Sequence, residues 1–121
     1  MAWTAVNILG RALIAFLFVS AGIAKIIGPK PFLDHMAEHR VPGLLLPLVI
    51  ALEIGAGALV LIGWQARWAA LALAVFSLMT AFVFHLDFAD KVERTQFVKD
   101  LAIAGGLMAF ASLYGRAAIA P

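Results

Sequence analysis

Four stretches of this sequence, residues 5–27, 44–63, 68–86 and 97–118, are apolar over the roughly 20 residues needed to cross the hydrocarbon core of a bilayer. No other feature limits the fold so tightly. In lipid each backbone N–H and C=O must be satisfied within the protein, so segments of this length are expected as helices. Pro47 falls in the first turn of the second stretch, where a missing N–H costs little. The expected fold class is all-α: a polytopic membrane four-helix bundle forming one domain over residues 1–121. Four spans place both termini on one side, side A.

Composition agrees. Hydrophobic residues make up 64% of the 121 and charged residues 13%, against about 45–50% and about 25% in soluble domains. A net charge of +2, carried by scattered basic residues, leaves no electrostatic footprint for nucleic acid. Without cysteine the chain cannot run thiol–disulfide chemistry, hold an iron–sulfur cluster on its own thiolates or build a cysteine zinc site.

The connections are unequal. Residues 63–67 make a tight turn on side A, so the second and third helices are antiparallel neighbours. Side B carries two longer loops, residues 28–42 and 87–96. In the first, Pro31 is placed to open a short interfacial helix. Phe32, Leu33, Met36 and Ala37 then share one face, with Asp34, Glu38 and His39 towards water. Near the span ends, side B has Lys25, Lys30, Arg40, Lys91, Arg94 and Lys99, and side A has Arg11, Arg67 and Arg116. This bias favours side B in the cytoplasm. The first span also has the ingredients of a signal peptide, with Arg11 ahead of an apolar core and Val19-Ser20-Ala21 as a cleavage site. One basic residue is a poor basic region, however, and a retained span is expected. Leu52-Glu53-Ile54-Gly55-Ala56-Gly57 resembles Leu101-Ala102-Ile103-Ala104-Gly105-Gly106. Two repeated hairpins or apolar low complexity would each produce that.

The polar residues at depth carry the functional information. A carboxylate such as Glu53, near the middle of the second span, costs about 2.5–3.5 kcal/mol to insert and calls for a partner, a proton or a wet cavity. Arg11 shares one face of the first helix with Asn7, Phe18 and Lys25. At 1.5 Å per residue its depth differs from that of Glu53 by roughly 9 Å, within reach of a long side chain. The expectation is an Arg11–Glu53 pair, read either as a structural tie or as the charge of a ligand cavity. Lys25, His85 and Lys99 sit at three span ends on side B. They form either a set of snorkelling cations or a basic rim that accepts a quinone carbonyl, a lipid headgroup or another anionic group, with Phe84, Phe88 and Phe97 nearby. Small residues are expected to bring helices together: Ser20, Ala21, Gly22 and Ala24, then Ala51, Gly55, Ala56 and Gly57, then Ala102, Gly105 and Gly106. Gly55 and Gly57 also leave room for a ligand beside Glu53.

His35-Met36-Ala37-Glu38-His39 has H-x-x-E-H spacing, in which two histidines on one helical face can share a metal. No further ligand is evident on a following helix, so a solvated polar face is expected and no metal site is assigned. Only His85 approaches the bundle interior, which leaves haem without an opposing ligand at matched depth.

Taken together, Gly10-Arg11-Ala12-Leu13, Ala21-Gly22-Ile23-Ala24-Lys25, Leu52-Glu53-Ile54-Gly55, His85 and Phe97-Val98-Lys99-Asp100-Leu101-Ala102 resemble the DoxX family over nearly the whole chain. The resemblance implies a bacterial inner-membrane protein linked to quinone-dependent redox or oxidative-stress complexes. It carries Arg11, Lys25, Glu53, His85 and Lys99 as ligand-binding positions and names no catalytic residue. The expected function is a quinone- or lipid-binding subunit with no intrinsic cofactor. It would be accessory to a redox enzyme that supplies the electrons, alone or as an oligomer. The rival expectation is a scaffold or chaperone-like membrane protein whose buried charges only hold the bundle, since fold alone does not choose a function.

Overall fold

The computed structural model describes residues 2–119, with side chains for residues 2–114, so the Arg116 side chain counted on side A lies outside the described residues. Helix α1 runs Ala2–Ile27 and the short α2 Lys30–Glu38. After a 3-10 turn at Gly43–Leu45 come α3 at Leu46–Ile62, α4 at Ala66–Phe84 and α5 at Lys91–Ile119. Four of these segments are long and apolar enough to cross a membrane: Ala2–Ile27, Gly43–Ile62, Ala66–Phe84 and Lys91–Tyr114. The all-helical four-span bundle is the fold the sequence leads one to expect.

The boundaries have local causes. A proline sits in the first turn of both α2 and α3, where it removes no intrahelical bond. Gly63 ends α3 in the left-handed conformation, at φ 81°, and its N–H donates to the Leu59 carbonyl. Gln65, at φ 51°, then turns the chain straight into α4, which therefore begins two residues before the predicted start. The fourth span differs more. Residues 91–96 are helix and not loop, because Asp90 Oδ1 accepts from the N–H groups of Val92 (2.9 Å) and Glu93 (3.4 Å). This side-chain cap extends α5 well beyond the apolar stretch. It also moves Lys99 about 12 Å into the helix, at 1.5 Å per residue.

Helix α1 packs on α3, α3 on α4 and α4 on α5. The shared core holds Phe18, Val60, Leu73 and Leu107 amid alanines 69, 70, 74, 104 and 111. Lipid offers no hydrophobic reason for helices to meet, so close contact between small side chains does the joining. Gly22 lies against Ile54 and Glu53, and Gly57 against Val19 and Phe18, which sets the α1–α3 register. The other expected contact glycines behave differently. A Cβ at Gly55, Gly105 or Gly106 would meet nothing within 4 Å, so these positions do not join helices of this chain. The repeat-like pair also occupies unlike settings, with Glu53 buried and Ala102 exposed, which favours low complexity as its origin. Large apolar side chains, Trp3, Phe16, Leu44, Trp64 and Trp68 among them, face outwards as a lipid-facing surface requires. Trp3, Trp64 and Trp68 all lie at the side A end, where aromatic residues sit at the headgroup level.

Candidate functional site

The two ends of the bundle differ. At side A, Arg11 is held by α1 and α3: its Nε donates to Asn7 Oδ1 (3.0 Å) and its Nη1 to the Leu61 carbonyl (3.3 Å). The guanidinium lies 5.9 Å from the centre of the Tyr114 ring, and the Tyr114 hydroxyl donates to the Gly63 carbonyl at 2.8 Å. Three helices and a turn are fastened there. The expected Arg11–Glu53 pair is not formed. Antiparallel register sets Arg11 against Leu61, eight residues from Glu53, or about 12 Å along the helix.

Glu53 is 3% exposed and pairs with Lys25, whose Nζ lies 2.8 Å from Oε1. The register explains the choice, since Gly22 is the α1 residue facing Glu53 and Lys25 is one turn further on. Lys25 Nζ also reaches towards the Ala21 carbonyl (3.5 Å) and sits 4.8 Å from the centre of the Phe32 ring. The Lys25–Glu53 contact is close but not aligned as a hydrogen bond, and Oε1 has no hydrogen-bond donor among the described residues. Glu53 therefore faces the interior, as its insertion cost demands, with a lysine from the other end of α1 as its partner.

That pair opens onto a cavity of about 730 Å³ at side B, walled by all five helices. Its volume falls within the roughly 300–1,000 Å³ typical of small-molecule sites. Most of the wall is apolar: Leu17, Phe18, Phe32, Met36, Val49, Phe76, Met79 and Ile103 all contribute. Short α2 forms one side of it, with Met36 buried and Phe32 partly so. The sequence suggested Leu33 and Ala37 on the same inward face, but both are exposed.

Polar groups enter the cavity from separate helices. Lys25, His85 and Lys99 line the same space, Lys25 and His85 partly buried and Lys99 from an exposed position, so the three span-end bases share one side of the bundle mouth. Of the three phenylalanines near them, only Phe84 belongs to the cavity; Phe88 and Phe97 pack edge-to-face in a separate cluster with Phe82. Asp100 also lines it and its Oδ2 is buried without a hydrogen-bond partner among the described residues. His85 stands between two carboxylates, with Nδ1 2.9 Å from Glu93 Oε2 and Nε2 3.6 Å from Asp100 Oδ2. No carboxylate lies within ion-pair distance of Lys99 among the described residues. Neither Gly55 nor Gly57 lines the cavity: Gly55 faces outwards, and Gly57 is packed against α1.

Residues 6–86 match the DoxX family. The chain belongs to the DoxX family. It is also 43% identical over 104 residues to the inner membrane protein YqjF of Escherichia coli (strain K12), an alignment covering 86% of this chain and 80% of that protein. No solved structure matches it. With four spans and this kinship, the DoxX protein described here is a multi-pass protein of the bacterial inner membrane.

Of the polar positions assigned from sequence, Lys25, Glu53, His85 and Lys99 meet in the cavity of this DoxX protein, and Arg11 does not. Asp100 and Glu93 were missed as site residues. Asp100 carried the same signal as Glu53, a carboxylate inside an apolar span, and the same insertion cost applies to it. Both Lys99 and Asp100 lie on α5, beyond the segment that matches the family.

Proposed function

We propose that this DoxX protein binds a lipid-soluble molecule with a polar head, a quinone or a lipid, as an accessory subunit of membrane redox or oxidative-stress chemistry. One observation carries the reading. An apolar cavity of ligand size is lined by an exposed cation, Lys99, and by the buried Asp100 Oδ2, and among the described residues the first has no carboxylate partner and the second no hydrogen-bond donor. A buried carboxylate oxygen is costly in lipid unless a ligand or water satisfies it. A quinone agrees with this lining: Lys99 and His85 carry N–H groups that a carbonyl oxygen accepts from, and the apolar wall suits a ring and the start of its tail. A bound quinone supplies two-electron, two-proton redox chemistry. The protein's share is to hold the head and to keep protons near it. His85 stands between Glu93 and the cavity-lining Asp100, so an imidazole links the Glu93 carboxylate to the cavity wall. Electrons would come from a partner enzyme.

Lipid extraction and mass spectrometry of the purified protein test this. Wild type should carry a quinone or one lipid class near stoichiometry. Lys99→Ala should reduce its retention about 10–100-fold, the value of a hydrogen bond to a charged group. Equal occupancy in the variant, or no bound molecule in wild type, overturns the proposal. A second reading, a scaffold whose charges are purely structural, rests on the Lys25–Glu53 pair, which neutralises itself without any ligand.

A further inference from the structure

At the edge of the cavity, which His35 also lines, the end of α2 gathers a different chemistry. His35, Glu38 and His39 present ligand atoms that all lie within 4.8 Å of one another. Spacing alone suits a solvated face, but the structure adds three arrangements that solvation does not require. First, His39 Nδ1 lies 2.9 Å from the His35 carbonyl. A carbonyl only accepts, so Nδ1 carries the proton and Nε2 keeps the lone pair, the tautomer that a ligating histidine is held in by a backbone oxygen. Second, the His35 ring is stacked on Phe84, at 5.0 Å between centroids and 24° between planes, and is therefore oriented before any ligand arrives. Third, the three residues line a recess of about 290 Å³ whose far wall is the α4–α5 connection. Two carboxylates there are engaged, Asp90 in capping α5 and Glu93 with His85. Asp87 lines the same recess, and its side chain makes no hydrogen bond or ion pair among the described residues.

We infer that His35, Glu38 and His39 form a site for a divalent transition metal of the zinc type, open towards Asp87. Two imidazoles and one carboxylate on successive turns are a borderline donor set that suits zinc, and three protein ligands leave a fourth position for water or the Asp87 carboxylate. Bonds of about 2.0–2.1 Å in a tetrahedral site bring donor atoms to about 3.3 Å from each other. The donor atoms, within 4.8 Å of one another, must draw together by up to about 1.5 Å to meet that spacing. His35 also lines the cavity, but Glu38 and His39 are exposed at side B and line only the recess, and none of the three residues belongs to the Lys25–Glu53 pair.

The test uses the full chain in detergent without a polyhistidine tag, titrated with zinc against a chromophoric chelator. One Zn²⁺ per chain is expected. Loss of even an outer-shell partner weakens metal sites about 10–100-fold, so His35→Gln and His39→Gln should each lose roughly tenfold or more. Glu38→Gln, at an exposed position where folding is not at stake, should also weaken zinc. Lys99→Ala should bind zinc like wild type, so the site stands or falls separately from the quinone or lipid reading. Absence of stoichiometric zinc in wild type, or unchanged affinity in all three ligand variants, overturns the inference.

Discussion

Lys25 reaches Glu53 from one helical turn beyond Gly22, the residue that touches Glu53 across the α1–α3 crossing, and the two charged atoms lie 2.8 Å apart. Removing one member of such a pair leaves the other charge buried and unpaired, at a cost of about 3–5 kcal/mol. Lys25→Met and Glu53→Gln should each lower the unfolding free energy by that order in detergent. The double variant Lys25→Met with Glu53→Leu should recover most of the loss. A cycle between Arg11 and Glu53 should instead be additive within about 0.5 kcal/mol, because the two lie in separate networks. If the stable double variant still retains its bound molecule, the pair is a structural tie only; loss of the molecule would give it a share in binding.

At the other end of α3, Gly63 combines a positive φ with crowding. A Cβ there would sit 2.6 Å from Arg11 Nη1 and 2.9 Å from the Tyr114 hydroxyl. Gly63→Ala should cost about 1–2 kcal/mol from the left-handed backbone alone, with more from displacing Arg11. Tyr114→Phe, which removes only the hydrogen bond to the Gly63 carbonyl, should cost about 0.5–1.5 kcal/mol. Thermal midpoints of the two variants in one detergent, read against wild type, check the order.

Basic residues predict the orientation. Lys25, Lys30, Arg40, Lys91, Arg94 and Lys99 cluster towards side B, so the α1–α3 connection should be cytoplasmic and the turn at Gln65 periplasmic. The chain has no cysteine, which makes single-cysteine labelling clean. Gln65→Cys in intact cells should react with a membrane-impermeant maleimide, and Lys30→Cys only after lysis. The reverse pattern would place side B outside.

Hydropathy made the four spans and their order legible, because lipid leaves so few ways to satisfy a backbone. It also marked Glu53 as interior. Its partner was not legible. Depths counted from predicted span ends carry an error of several residues, and in an antiparallel pair that error exchanges Arg11 for Lys25. The early start of α5 was within reach, since Asp90 stands where a capping residue belongs, but its first turns lie outside the apolar stretch that hydropathy marks. The placing of Lys25, His85 and Lys99 on one side of the bundle mouth was half legible: shared depth can be read from sequence, whereas a shared side needs the rotation of each helix. The outward turn of Gly105 and Gly106 was hidden for that same reason.

The fastening around Gly63 also has a mechanical meaning. Arg11, the Leu61 carbonyl and Tyr114 pin α1, α3 and α5 at one membrane face, while the opposite face holds the open volume. A lever pinned at one end moves only at the other. Over a span of about 30 Å, a tilt of about 2° at the pin displaces the far end by about 1 Å. Any breathing that admits or releases a molecule is then concentrated where α2 lies, and spin labels placed at side B should separate and approach while those beside Gly63 stay still.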